Sequence, residues 1–168
     1  GELNLNSTIC EGLNSQHAGG LVGKCYGSIK DSCNWSNVYL SHYRSNDIYI
    51  GGIIGCPSAS LSIENCYNVG KLHSKSNNTE KDCNKNLCGK SGSYKISIIN
   101  SFLLNDNESV LNNGIDIARK SIQFSSGEIT YLLNNKSSNS SSIWKQNLGD
   151  NRDAYPVLNS DHNIVYKC

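Results

Sequence analysis

The sequence contains no methionine, and no apolar run is long enough to cross a bilayer. Positive and negative charges nearly balance, with a formal net charge of +1, so no basic surface of the kind that binds nucleic acid is visible. No secretory signal is recognisable at its beginning. These absences argue against a membrane span and a nucleic-acid partner. They lead us to expect a mature or excised piece of a longer protein.

Signatures of catalysis are also missing. The sequence has no G-x-S-x-G and no H-E-x-x-H pattern. Its stretch "CGKSG" at 88–92 resembles part of a phosphate-binding loop, but the glycine that this loop needs at position 84 is Asn84. We therefore predict no enzymatic activity, no cofactor and no metal site. The histidines are scattered and are expected on the surface or in turns: His17, His42, His73 and His162.

Asparagine, serine and cysteine are abundant instead. Asparagine and serine compete with the helical backbone through local hydrogen bonds, so they favour turns over helices. Eight cysteines, an even number, indicate an oxidising compartment and a disulfide framework. Zinc is the less favoured interpretation, because the only close pair, Cys83 and Cys88, has no matching second pair.

Two stretches of the chain are nearly the same. They read "AGGLVGKCYGSIKDSCNWSNVYL" at 18–40 and "IGGIIGCPSASLSIENCYNVGKL" at 50–72, with their glycine pairs 32 residues apart. Aligned on the element Ser-Ile-x-x-Cys, one column holds Cys10, Cys33, Cys66 and Ser101, at spacings of 23, 33 and 35 residues. Self-similarity at such periods indicates a solenoid or a repeat array.

Each repeat contains short β-compatible apolar pairs between clusters of glycine, asparagine and serine. One repeat could not cover its own apolar face, whereas stacked repeats could. We predict an all-β fold, a short parallel β-solenoid of about four degenerate rungs over residues 1–117, followed by a small helical and loop cap over 118–168. An antiparallel β-sandwich is the alternative, although a sandwich has no reason to repeat side-chain identities at a fixed period.

The stretches "AGGLVG", "IGGIIG" and "IENCYNVGKL" resemble the GLUG-type repeats of secreted and cell-surface proteins, notably bacterial adhesin-like and surface-protease ectodomains. The resemblance covers residues 18–75 well, and 1–17 and 88–105 weakly. The tail "SSGEITYLLNN…IWKQNLGDNRDAYPVL…VY" is similar to the segment that often follows such repeats. The resemblance implies a scaffold or a binding surface and no particular activity. This sequence departs from the family by its many cysteines.

The tail has features of a cap. Ser126 can cap a short helix whose apolar face carries Ile129, Leu132 and Leu133. Because a solenoid needs a terminal cap, we expect the tail to cover the open end of the stack. The covering side chains would be Trp144, Tyr155 and Val157.

Residues in the same column of adjacent rungs lie about 4.8 Å apart, which is compatible with a disulfide. Cys25 and Cys56 follow the equivalent glycines Gly23 and Gly55, so we expect them to pair. The last residue, Cys168, is the remaining intrachain partner for the Cys10 column. Free thiols, or a bridge from Cys10 or Cys168 to another subunit, are the alternatives. The predicted set is Cys10–Cys33, Cys25–Cys56, Cys66–Cys168 and Cys83–Cys88.

Six Asn-x-Ser/Thr sequons occur, and composition alone predicts about four. Their number is therefore weak support, but an oxidising compartment makes them candidates for N-glycosylation. The six asparagines are Asn6, Asn34, Asn77, Asn107, Asn135 and Asn139.

These features together predict a non-enzymatic structural or adhesive module of a larger surface protein, located outside the cell or at the cell surface. Its expected partners are other protein chains or surface glycans. One alternative is a subunit of an extracellular filament that assembles end to end. Another is a carbohydrate-active β-helix enzyme whose carboxylates would be Glu11, Asp31 and Glu64.

Overall fold

A computed structural model describes residues 2–7, 15–42, 47–76, 79–82, 86–89, 93–112, 114–158 and 160–166. The described residues form strands and two short helices. The strands are β1 Glu2–Ser7, β2 Ser15–Gly19, β3 Val22–Lys30, β4 Cys33–Asn34, β5 Asn37–His42, β6 Asp47–Gly51, β7 Ile54–Glu64, β8 Tyr67–Asn68, β9 Leu72–Ser76, β10 Thr79–Asp82, β11 Ile96–Ile99, β12 Phe102–Leu104, β13 Leu111–Asn112, β14 Ile115–Asp116 and β15 Ala118–Arg119. The helices are α1 Ser121–Ser125 and α2 Glu128–Leu133.

The protein is a small parallel β-solenoid. Strands of successive rungs pair in parallel, in the sheet orders β1-β5-β9, β2-β6, β3-β7-β11 and β4-β8-β12-β15. Among the described strands, antiparallel pairing is confined to β9 with β10 and β13 with β14. The solenoid prediction is confirmed, and the antiparallel sandwich is wrong, because equivalent residues of each repeat lie side by side. We call β2–β5 the first rung, β6–β9 the second, and the segment from Cys88 through β12 the third.

The repeated glycine pairs are needed because backbones approach closely at these corners. A Cβ on Gly19 would lie 2.1 Å from the Val22 carbonyl oxygen, and one on Gly51 would lie 2.1 Å from that of Ile54. Real Cβ atoms do not come so close, so only glycine fits. The lack of room for a Cβ, and not a left-handed backbone, explains why both repeats of the chain have this glycine pair.

Left-handed corners are supplied by a different column. Asp31, Asn65 and Asn100 have φ of 46°, 52° and 42°, and Asn135 in the tail has φ of 56°. Short polar side chains tolerate this conformation better than other non-glycine residues. Asn65 Nδ2 donates to Asp31 Oδ1 at 3.2 Å, Asn100 Nδ2 donates to Asn65 Oδ1 at 3.4 Å, and Asn100 also donates to Asn135 Oδ1. We call these four residues the corner ladder.

The register places the cysteines differently from the predicted column. Ile29 lies beside Ile63, so Cys33 pairs with Tyr67 and not with Cys66. The Cys66 backbone N–H instead donates a hydrogen bond to Ser101 Oγ, at 2.9 Å. The alignment of Cys33 with Cys66 was therefore wrong by one residue, whereas the match of Cys66 with Ser101 is confirmed. A one-residue shift moves a side chain to the other face of a sheet.

Two apolar clusters lie on the two sides of the sheet β4-β8-β12-β15. The first cluster lies on the inner face and contains Ile53, Ile54, Leu61, Ile63, Cys66, Leu87, Cys88, Leu103, Ile117 and Ala118. The second cluster lies on the outer face, where the tail covers the rungs: Tyr67, Phe102, Phe124, Ile129, Leu133 and Trp144. Burying each large apolar side chain stabilises the fold by about 1.5–3 kcal/mol.

The tail therefore packs on the side of the solenoid. Trp144 is fully buried, and its ring lies 5.3 Å from that of Tyr67. The predicted helix is present as α2, but its N-cap is Gly127, with φ of 86°, and not Ser126. Trp144 and Tyr155 cover the apolar outer column of Tyr67 and not the end of the stack, where these side chains were expected. The positions beyond the third rung are taken by other parts of the tail, β15 and Asn135. The predicted boundary between residues 117 and 118 falls at the start of β15.

Candidate functional site

A cavity of about 360 Å³ opens where the third rung leaves the stack. After β12 the chain turns away at Asn105, and the strand beside β9 is the antiparallel β10, which pairs with His73 to Ser76 and not with Leu72. The cavity lies between residues 68–73 of the second rung and residues 103–107. It is a gap in an otherwise regular stack.

Amide groups, an ammonium and an imidazole line this cavity. Asn105 is 6 % exposed; its Oδ1 accepts the Asn107 N–H at 3.2 Å, and its Nδ2 has no hydrogen-bond partner among the described residues. Lys71 and His73 line the opposite wall. The imidazole of His73 stacks on the ring of Tyr39, with centroids 4.9 Å apart and planes 6° from parallel. The cavity thus offers amide donors, an ammonium and a ring surface.

The wall formed by residues 105–107 is fixed by acidic side chains. Asp106 accepts hydrogen bonds from the Ser121 N–H at 2.7 Å and from its Oγ at 2.9 Å, which lowers the pKa of the Asp106 carboxyl. Asp116 accepts from the N–H groups of Ala118 and Val110, at 2.9 and 3.0 Å, and its pKa is lowered by these bonds. Both carboxylates accept hydrogen bonds from backbone N–H groups of neighbouring segments, and both are ionised at neutral pH.

The carboxylates that could have served a glycosidase have structural partners. Lys30 Nζ lies 2.6 Å from Glu64 Oε2, across the pair β3 and β7. Asp31 accepts the hydrogen bond of Asn65 in the corner ladder. Glu11 lies outside the described residues. Both described carboxylates connect the first rung to the second.

The predicted Cys25–Cys56 bridge is not formed. Cys25 pairs with Pro57 and Cys56 with Lys24, so the two cysteines are one residue out of register. Neighbouring residues of a strand point to opposite faces, and both thiols are free. The equivalent glycines Gly23 and Gly55 were therefore a poor guide to the register.

The other three predicted bridges each have one partner outside the described residues, namely Cys10, Cys83 and Cys168. Their described partners form no disulfide in the structure: Cys33, Cys66 and Cys88. Of their described partners, Cys33 is half-buried against the outer cluster, whereas Cys66 is buried inside the solenoid. Burial raises the pKa of the Cys66 thiol to about 11, and its Sγ donates to the Glu64 carbonyl at 3.2 Å. A buried thiol with a raised pKa is a poor nucleophile.

The sequons differ sharply in exposure. Asn34 is only 3 % exposed, and its Nδ2 donates to the Ser36 carbonyl at 2.9 Å and to Asn68 Oδ1 at 2.8 Å. The fold leaves no room for a glycan there, so this candidate is wrong. Asn107, Asn135 and Asn139 are exposed. For Asn6 and Asn77 the side chains lie outside the described residues.

In the described part of the chain, no group of three or more histidine, cysteine, aspartate or glutamate side chains is placed to hold a metal ion. Among the same residues, no helix is long and apolar enough to cross a membrane. Two of the histidines stack on tyrosines, His73 as above and His17 on Tyr49 at 5.4 Å. Lys90, Ser91 and Gly92 of the "CGKSG" stretch lie outside the described residues.

Comparison with known proteins gives no match to any family model, curated protein or solved structure. Sequence reasoning did not find the cavity. Its only signal is that the apolar pattern of Val38 and Leu72 does not recur after Asn105. The missing apolar pattern does not by itself predict a cavity, because another segment of the chain could occupy the same volume.

Proposed function

We propose that this protein is a non-enzymatic structural or adhesive module of a larger extracellular or cell-surface protein. One observation carries the proposal: the polar residues that recur at the corners bond to the next rung. The corner ladder and the Lys30–Glu64 ion pair join rung to rung. Polar residues that bond one rung to the next stabilise the stack, which is the role of a scaffold.

The resemblance of the repeats to GLUG-type proteins supports the same function, because such repeats occur in surface proteins as scaffold or binding surface. The even number of cysteines supports an oxidising environment. Glycans at the exposed Asn107, Asn135 and Asn139 would be compatible with the fold, since these side chains face solvent.

The cavity beside Asn105 is the best candidate for contact with a surface glycan. Sugars present hydroxyl groups and flat C–H faces, which amides and aromatic rings bind. The amide of Asn105, the ammonium of Lys71 and the imidazole of His73 provide both kinds of contact. Protein chains are the other partner class, and they would bind a face rather than this cavity.

Binding to immobilised glycans and to extracellular matrix proteins tests the proposal. We expect binding that weakens about tenfold in His73→Ala or Lys71→Ala if glycan is held in the cavity. Tyr26→Ala is the matched control, because Tyr26 is 74 % exposed on β3, on a different sheet. Absence of binding to every glycan and protein tested would contradict an adhesive function.

The enzyme alternative makes an opposite prediction. Hydrolysis of any polysaccharide that disappears in Glu64→Gln or Asp31→Asn would replace our proposal with a carbohydrate-active enzyme. The filament alternative is supported by the exposed edge of β3, and electron microscopy of the native material tests it.

A further inference from the structure

One interior column is incomplete at the first rung. Leu21, Ile53 and Leu87 occupy equivalent positions, because the Leu21 N–H donates to the Ile53 carbonyl at 3.1 Å and the Ile53 N–H to the Leu87 carbonyl at 3.0 Å. Ile53 and Leu87 are fully buried, whereas Leu21 is 43 % exposed. A side chain in the column that forms the core is therefore left in solvent at this end.

The backbone is incomplete at the same end. Among the described strands, β3 pairs only with β7 and β4 only with β8. The β3 edge is nine residues long, which is a template for a further strand. Lys24 and Lys30 are exposed, and each is next in sequence to an inward residue, Cys25 or Ile29, so both lysines point away from the interior. We call Leu21, β3 and β4 together the open end.

On the neighbouring face a further strand is already in place. β1 pairs with β5 in parallel from Glu2 beside Asn37 to Ser7 beside His42. β5 lies beside β9 in the same parallel arrangement. β1 is therefore one strand of a rung that would precede the first rung. Within the ranges that the structure describes, the strands of that rung beside β3 and β4 are missing.

The opposite end of the stack is built differently. Asn100 Nδ2 donates to Asn135 of the tail, which takes the next position of the corner ladder. β15 occupies the position beyond β12. Because these positions are filled, the third rung of an identical copy could not stack in register on the open end.

We propose that the open end is the interface for one more parallel rung of the same design, supplied by another solenoid segment. Such a rung would place apolar side chains over Leu21 and Ile29. It would place an amide donor over Asp31, the corner residue with which the ladder ends at this side. The proposal rests on the proposed function as a module of a larger protein and defines how the module is attached.

A designed extension tests this on the full chain. Because Glu2 lies beside Asn37, a copy of residues 15–36 joined directly to Glu2 would supply the missing strands of that rung. The copy carries Asp31→Asn, so that an amide and not a second carboxylate faces Asp31. The control extension also carries Leu21→Asp and Ile29→Asp.

Hydrogen exchange is then measured at the β3 amides that face away from β7. We expect exchange about tenfold slower with the matched extension and unchanged with the control. Equal exchange in both extended chains, with native circular dichroism retained, would overturn the proposal.

Sedimentation of the unextended chain gives a second test. Self-association that Leu21→Lys abolishes would show that a second copy covers the open end, and would overturn the proposal. A monomer supports it. Loss of glycan and protein binding would refute the adhesive function without affecting either result.

Discussion

Asn65 donates a hydrogen bond from its Nδ2 to Oδ1 of Asp31, 3.2 Å away in the neighbouring rung. Both residues have a left-handed backbone, with φ of 52° and 46°. The same side chain thus permits the corner and joins two corners. The rungs are held in register by side chains at these positions as well as by the strands between them.

Asn65→Ala is expected to destabilise the protein by about 2–3 kcal/mol. The change removes the hydrogen bonds to Asp31 and from Asn100, and alanine resists the left-handed conformation by about 1–2 kcal/mol. Asn65→Gly loses the same bonds without the backbone strain and should cost about 1 kcal/mol less. Urea unfolding measures both. Equal losses would mean that the backbone conformation contributes nothing.

Gly51→Ala should cost about 3 kcal/mol. Its Cβ would meet the Ile54 carbonyl oxygen at 2.1 Å and the Gly89 nitrogen at 2.6 Å, and backbone cannot move away as a flexible side chain can. Gly149→Ala is the control, because a Cβ there has open space, and its effect should stay within about 0.5 kcal/mol. Similar stabilities of the two variants would contradict the role of the glycine pair.

Expression through a secretory pathway should leave Asn34 unmodified, while Asn107 and Asn139 accept glycans. Asn34 is buried and makes hydrogen bonds to Ser36 and Asn68, whereas the other two sequons are exposed. Peptide mass mapping of the secreted protein reads the occupancy. Asn34→Gln should unfold more readily than Asn107→Gln. A glycan found on Asn34 of folded protein would contradict the placement of this side chain.

Cys25 and Cys56 should react with iodoacetamide without prior reduction. Both are partly exposed free thiols, out of register by one residue. Burial raises the pKa of Cys25, so its labelling should be slow at pH 7 and faster at pH 9. A tryptic peptide pair linked through these two cysteines in unreduced protein would show the bridge that the register does not allow.

The Asp106 carboxylate should make stability dependent on pH in the acid range. Its pKa is lowered in the folded protein by the hydrogen bonds from Ser121, so the folded state favours the ionised form. Its contribution is complete above the pKa of the unfolded chain, and is lost as pH falls through the lower folded value. In Asp106→Asn the thermal midpoint should fall less steeply below pH 4 than in the native chain. Asp150→Asn, on an exposed turn, should leave that slope unchanged.

Much of the solenoid could be predicted from the repeats in the sequence. The glycine pairs 32 residues apart and the Ser-Ile columns predict parallel stacking, because a side chain recurs in a column only when each rung repeats the same path. Asparagine at the corners is equally readable, since its tolerance of a left-handed backbone is a property of the residue itself. These features need no knowledge of distant contacts.

Only the tertiary structure decided which face each column occupies. One additional residue between Ile29 and Cys33, relative to Ile63 and Cys66, moves Cys33 to the outer face beside Tyr67, and the disulfide expectations change with it. A strand alternates its side chains at every residue, so an alignment error of one residue reverses inside and outside. The additional residue is visible in the sequence, but only the pairing of Ile29 with Ile63 shows that the isoleucines, and not the cysteines, keep the register.

The tail and the cavity depended on contacts without periodicity. Trp144 packs against Tyr67, 77 residues away in the sequence, and the local sequence around either residue does not predict this contact. The cavity exists because the chain leaves the stack at Asn105, and its walls come from two rungs and a loop. The sequence by itself determined the repeating path of the chain. Which residues lie together outside that path was decided only by the folding of the whole molecule, since non-repeating long-range contacts have no local signal.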